Sequence, residues 1–173
     1  MVSLTGKFVI FVLASVNFRD PEFTVPKTLL EAKGIKTVTA SSTHVAKGAE
    51  GLSVKVDVLL NDLDPSKYDA VIFVGGPGSS QYFDDPLSHS ICKKTLEEKK
   101  LLASICAAGS TLARAGVLKG KKATAFESRA QDLKDHGAIY TGKPVEIDGN
   151  IITGSGPAAA KAFGEAIAKA LEK

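Results

Sequence analysis

The chain has 173 residues, 44% hydrophobic and 24% charged, which suits one globular domain with a substantial core. No apolar run approaches the ~18 residues that a membrane span needs, and the short run in MVSLTGKFVIFVLASVNF lacks a small-residue cleavage site, so a cytoplasmic protein with no membrane partner is expected. The net charge of +3 is scattered over Lys93/Lys94, Lys99/Lys100 and Lys121/Lys122 with Glu97/Glu98 between two of the pairs, and there is no Trp; nucleic-acid binding is disfavoured.

Cys92 and Cys106 lack CxxC spacing, and His44, His89 and His136 form no HxxxH or HxxEH pattern. Neither a structural metal site nor a disulfide framework is expected, and no cofactor motif stands in the chain.

In chain order, KFVIFVLA (Lys7 to Ala14) reads as a core strand. Asp20, Pro21 and Glu22 then start a helix, with Asp20 as its cap, that closes at Gly34; Pro26 inside it predicts a kink or a late start. IKTVTASS (Ile35 to Ser42) is a second strand, and the alternation in LSVKVDVLL (Leu52 to Leu60) predicts one strand at a sheet edge. DAVIFVGGPGSS (Asp69 to Ser80) is a buried strand ending in a glycine cluster. SHSICKKTLEEKK (Ser88 to Lys100) is an amphipathic helix that leaves Cys92 as a packed residue.

LLASICAAGSTLARAG follows, a strand passing directly into a helix that Gly116 closes. Lys121 to Phe126 reads as a short strand, AQDLKDHG as a helical turn capped by Gly137, and PVEIDGNIITGS as a hairpin turning at Asp148 and Gly149. GPAAAKAFGEAIAKALEK is a final helix with Pro157 near its first turn. Strands alternating with helices predict an α/β, flavodoxin-like three-layer sandwich: a mostly parallel sheet, helices on both faces and a small β-hairpin.

Ligands of open parallel sheets bind beyond the carboxyl ends of the strands, and Cys106 stands at such an end. Small neighbours (Ser104, Ala107, Ala108, Gly109) permit a sharp elbow, and the following helix start favours thiolate over thiol. The same cysteine also fits a buried apolar residue at the end of a strand, and the local sequence supports both readings equally.

The Gly75-Gly76 pair lets a backbone amide approach a ligand, and either amide can join that of Ala107 as an oxyanion hole; the same glycines equally fit a plain turn. Glu22 sits in the first turn after the first strand, where a carboxylate commonly just answers the helix dipole. Pointed instead at Cys106, a protonated Glu22 would hydrogen-bond the thiolate and lower the sulfur's pKa.

Together PEFTVP with LLEAKGIKTVTAS, DAVIFVGGPG, ASICAAGSTLARAGVLKGKKAT and VEIDGNIITGSGPAAAKAFGEAIAKAL resemble the DJ-1/PfpI superfamily, of class I glutamine amidotransferase-like type. The resemblance implies that Cys106 is the reactive thiolate and Glu22 its carboxylic-acid partner, with oxyanion contacts from the amides of Ala107 and of Gly75 or Gly76. It also implies a homodimer. Ala107 occupies the position where the protease-like branch carries a histidine, Phe126 the position where the DJ-1-like branch often carries one, and Ala108-Gly109 replaces the more usual Gly-Pro pair. Structural roles are expected for all three histidines.

Three functions follow from this resemblance. The first is a cofactor-free enzyme acting on a small reactive carbonyl, of glyoxalase or deglycase type, converting methylglyoxal to lactate through Cys106 and Glu22. The second is a redox-responsive or chaperone-like stress protein whose elbow cysteine is oxidised. The third, a PfpI-type intracellular protease or amidase, needs an imidazole from elsewhere.

Overall fold

The computed structural model of the chain describes residues 3–173. Its elements are β1 (Phe8–Val12), β2 (Val16–Phe18), α1 (Asp20–Ala32), β3 (Lys36–Ser41), β4 (Val45–Gly48), β5 (Ser53–Lys55), β6 (Val58–Leu59), β7 (Ala70–Phe73) and α2 (Pro86–Glu97). After these come β8 (Leu101–Ile105), α3 (Gly109–Arg114), β9 (Lys122–Ala123), α4 (Ala130–Asp135), β10 (Ile139–Tyr140), β11 (Val145–Asp148), β12 (Ile151–Gly154) and α5 (Ala160–Leu171). Seven strands form the main sheet in the order β11-β12-β8-β7-β1-β3-β6, with only β11 running antiparallel.

The central strands β1 and β7 are apolar at every position, and β8 at all but Ser104, because both sheet faces are covered. Val9, Phe11, Ala70, Ile72 and Ile105 pack under α1 and α5 through Phe23, Leu30, Phe163 and Ile167. Ile10, Val12, Val71, Phe73 and Leu102 face the other way, toward Ile91, Leu112 and Leu133 of α2, α3 and α4. This is the three-layer α/β sandwich expected. The register pairs Val12 with Phe73 and Phe73 with Ser104. Three carboxyl ends therefore lie side by side, and the segments leaving β1, β7 and β8 converge above them.

Several expected elements are corrected by tertiary pairing. The run Leu52 to Leu60 is not one strand: β5 belongs to a separate three-stranded sheet, β2-β4-β5, and only β6 reaches the main sheet edge. The break falls at Asp57, whose carboxylate accepts from Thr39 N at 2.9 Å and Thr39 Oγ1 at 3.1 Å and so takes up groups a continuous ladder would have used. The predicted strand Lys121 to Phe126 shrinks to β9, which pairs with β10. Pro26 neither delays nor divides α1; it is buried, and Gly164 of α5 lies close enough that a Cβ there would sit 3.1 Å from Pro26 Cα.

Asp20 does not cap α1. The N-cap is Arg19, with no side-chain bond, while the Asp20 carboxylate accepts from Glu50 N at 3.1 Å and Leu52 N at 2.9 Å, tying the β4–β5 connection to the helix start. Asp20→Ala strands two amides and should cost about 1–3 kcal/mol in urea unfolding, with Asp20→Asn recovering part of the loss.

Candidate active site

Cys106 follows β8 directly and adopts φ +60°, a left-handed conformation that side-chain-bearing residues avoid, at a cost on the order of 1–3 kcal/mol. The turn is held from outside: Phe126 N donates to Cys106 O at 3.2 Å, and the small residues Ala108 and Gly109 are buried directly behind it. A Cβ on Gly109 would lie 2.8 Å from Ala125 Cβ, so that position has no room for a side chain. These contacts make the sharp elbow read from the small residues.

Cys106 is only 5% exposed, yet it lies in the wall of an open cavity of about 310 Å³. Arg19, Gly76, Pro77, Phe83, Ala107, Phe126, Ser128 and Arg129 are among the other residues lining it. A volume near the lower end of ligand cavities admits small molecules only.

Glu22, in the first turn of α1, is fully buried against this elbow. Gly75 shows how tightly the two meet: a Cβ on it would lie 2.5 Å from Ile105 O, 2.6 Å from Glu22 Oε1 and 2.7 Å from Cys106 Cβ. Gly76 takes φ +106° where a Cβ would strike Arg19 N. The double glycine therefore serves close approach at its first position and backbone conformation at its second.

Both Glu22 oxygens are enclosed without a hydrogen bond of full geometry, and the donors facing them are the Cys106 thiol and the Gly75 amide. Burial pushes the Glu22 carboxyl up to about 7, against the opposing pull of Cys106 and the Arg19 charge. Cys106 is likewise raised, to about 12, first by burial and then by the Glu22 charge and hydrogen bond; the Ala107 and Gly76 amides pull it the other way.

The expectation of a thiol pKa below its free value is thereby corrected. The helix after Cys106 is a short one, α3, and the nearby carboxylate outweighs two amides. Of the two glycine amides, that of Gly76 acts on the sulfur and that of Gly75 on the Glu22 carboxyl.

Cys92 is fully buried in α2, and burial holds its thiol far from ionisation, as a packed residue should be. The histidines lie elsewhere. His89 Nε2 donates to Phe83 O at 2.6 Å, His136 Nδ1 to Asp132 O at 2.8 Å, and the His44 carbonyl accepts from Val56 N at 2.9 Å. None of the three lines the cavity.

Two arginines of the cavity wall escaped the sequence reading. Arg129 is tied to Asp132 at 3.1 Å and Ser110 Oγ at 2.7 Å and stacks over Phe83 at 4.7 Å. Arg19 precedes Glu22 by one helical turn, Glu22 N donating to Arg19 O at 3.1 Å. That i, i+3 spacing beside a buried carboxylate was the available signal.

The model of the DJ-1/PfpI family matches residues 7–170. An uncharacterised protein of Methanocaldococcus jannaschii is 37% identical, over 95% of this chain and 82% of its own length. A deglycase of Thermococcus kodakarensis is 31% identical, over 86% of this chain and 90% of its own. The crystal structure of a ThiJ/PfpI domain protein from Brachyspira murdochii superposes with a TM-score of 0.94 at 28% identity, covering 99% and 98% of the two chains. No helix among the described residues is long and apolar enough to cross a membrane. The strained elbow, the glycine pair and a family match spanning nearly the whole chain lead to one conclusion: this protein belongs to the DJ-1/PfpI family.

Proposed function

We propose that the protein is a cofactor-free enzyme acting on small reactive carbonyl compounds, with Cys106 as nucleophile and Glu22 as proton carrier. The observation that carries this reading is the buried Glu22 carboxyl packed against Cys106 in the wall of a small open cavity. The deglycase named among the relatives agrees with it.

The carboxyl and thiol titrate as a pair, losing a first proton near pH 7 and a second near pH 12. Between these limits the pair carries one negative charge and one proton. The charge rests on the Glu22 carboxylate, and the thiol passes its proton to that carboxylate as the sulfur attacks, the Ala107 and Gly76 amides supporting the charge that develops on sulfur. With methylglyoxal, the sulfur adds to the aldehyde carbon, and the carbonyl oxygen takes the Glu22 proton to give a hemithioacetal.

The Glu22 carboxylate then removes the hydrogen from that carbon, and the resulting enediol is reprotonated at the neighbouring carbon. The aldehyde carbon is thereby oxidised to a thioester and the ketone carbon reduced to an alcohol, with no external electron carrier. Water cleaves the thioester, releasing lactate and restoring the thiol.

Incubated with methylglyoxal, the protein should form lactate at a rate that rises as pH increases through about 7, since the doubly protonated pair lacks a nucleophile. Absence of lactate at any pH overturns the proposal. Peptide hydrolysis is the weaker reading, because no imidazole reaches the cavity to protonate a leaving amine.

A further inference from the structure

The three arginines of this chain are placed very differently. Arg114 bonds Asp132 at 3.0 Å and Asp84 at 2.9 Å, and Arg129 bonds Asp132 and Ser110. Among the described residues, Arg19 makes no ion pair and no side-chain hydrogen bond, and its Nε is enclosed without any partner. Its backbone is fixed, Arg19 N donating to Gly75 O at 2.9 Å, so the side chain is rooted beside the glycine pair that also positions Cys106.

A guanidinium whose nitrogen is shut off from solvent and from protein acceptors is costly to hold. Arg19 is only partly buried and lines the cavity, so an acceptor entering there can bond the remaining guanidinium nitrogens. No carboxylate lines that cavity, so every formal charge on its wall is positive apart from the Cys106–Glu22 pair itself. Arg129, on the same wall, keeps part of its guanidinium free of its bonds to Asp132 and Ser110 and adds to the positive field.

We propose that Arg19 is a substrate-binding residue, and that the carbonyl compounds this site favours over neutral methylglyoxal carry an anionic group, a carboxylate or a phosphate, which Arg19 receives while Cys106 meets the carbonyl carbon. The inference rests on the carbonyl reading of the site and deepens it by naming the substrate class. A planar guanidinium offers such a group two parallel hydrogen bonds, which fixes orientation as well as affinity. The cavity volume limits the compound to a few carbon atoms between its two recognised ends.

Alkylation of Cys106 tests this without requiring turnover. Iodoacetate and iodoacetamide have nearly the same shape, and with either one a sulfur–carbon bond forms as iodide leaves. Only the first is an anion. The ratio of the two rates cancels any change in thiolate fraction and reads the charge preference of the cavity, with mass spectrometry assigning the label to Cys106 rather than Cys92.

The ratio should exceed that of glutathione by on the order of tenfold at low salt. It should fall toward the glutathione value in Arg19→Gln and be largely kept in Arg19→Lys, thermal melts having confirmed that both variants fold. Slowing of the iodoacetate reaction by inorganic phosphate more than by acetate would mark the anion as phosphate; the reverse would mark it as carboxylate. A ratio equal to that of glutathione and unmoved by Arg19→Gln overturns the subsite while leaving lactate formation to stand on its own. A high ratio without lactate formation instead overturns the carbonyl chemistry and leaves the anion site in place.

Discussion

Cys106→Ala should reduce lactate formation to background, and Glu22→Gln should lower it by about 10²–10⁴-fold while making the protein more stable above pH 7. The opposite signs come from one cause. Burial raises the Glu22 carboxyl to about 7 in the folded protein, against 4.5 as its ordinary value. The folded state therefore binds this proton more tightly than the unfolded chain.

Its contribution to stability is complete below about pH 4.5, declines as pH rises toward 7, and is flat beyond. At about 1.4 kcal/mol per unit, the charged form is held on the order of 3 kcal/mol above the neutral one. Glutamine carries no such charge. Denaturant unfolding of the two proteins should give similar values near pH 4.5 and favour Glu22→Gln increasingly up to pH 7. A difference that does not vary with pH would mean that residue 22 does not hold the charge. On the proposed chemistry, function requires a group that destabilises the fold at working pH.

Gly75→Ala should be nearly as damaging to activity as loss of the thiol. The added carbon would meet Ile105 O, Glu22 Oε1 and Cys106 Cβ at 2.5–2.7 Å. A backbone carbonyl in a central strand cannot retreat, so the glycine loop must move and take the Gly75 and Gly76 amides with it. A stability loss of about 1–3 kcal/mol is expected, together with a thiol whose alkylation no longer follows the acid limb near pH 7. Gly149→Ala is the control: at φ +59° in the β11–β12 turn, with open space around it, it should cost about 1 kcal/mol and leave turnover unchanged.

The two-face burial of β1, β7 and β8 was legible in apolar runs broken only by Ser104, because a strand covered on both sides shows no polar alternation. The turn glycines at 34, 116, 137 and 149 were equally plain, each taking positive φ where a helix or hairpin ends. Position at a strand end and small neighbours likewise marked Cys106. Short-range rules govern all of these features, and a single sequence states them directly.

What lay beyond those rules was decided by groups distant in the chain. The three-stranded sheet formed by β2, β4 and β5 follows from pairings that no local alternation announces, and the bond between Asp57 and Thr39 divides what reads as one strand. Asp20 left its expected cap for the amides of Glu50 and Leu52.

The site shows the same division. Sequence supplied the thiol, the carboxyl and the glycines as residue types at strand ends. Only the packing of Gly75 against Ile105 and Glu22 determined that the acid sits on the sulfur, that both are raised rather than lowered in pKa, and that Arg19 is left unpaired beside them. Desolvation and charge coupling depend on distances across three separate loops, and those distances exist only once the chain has folded.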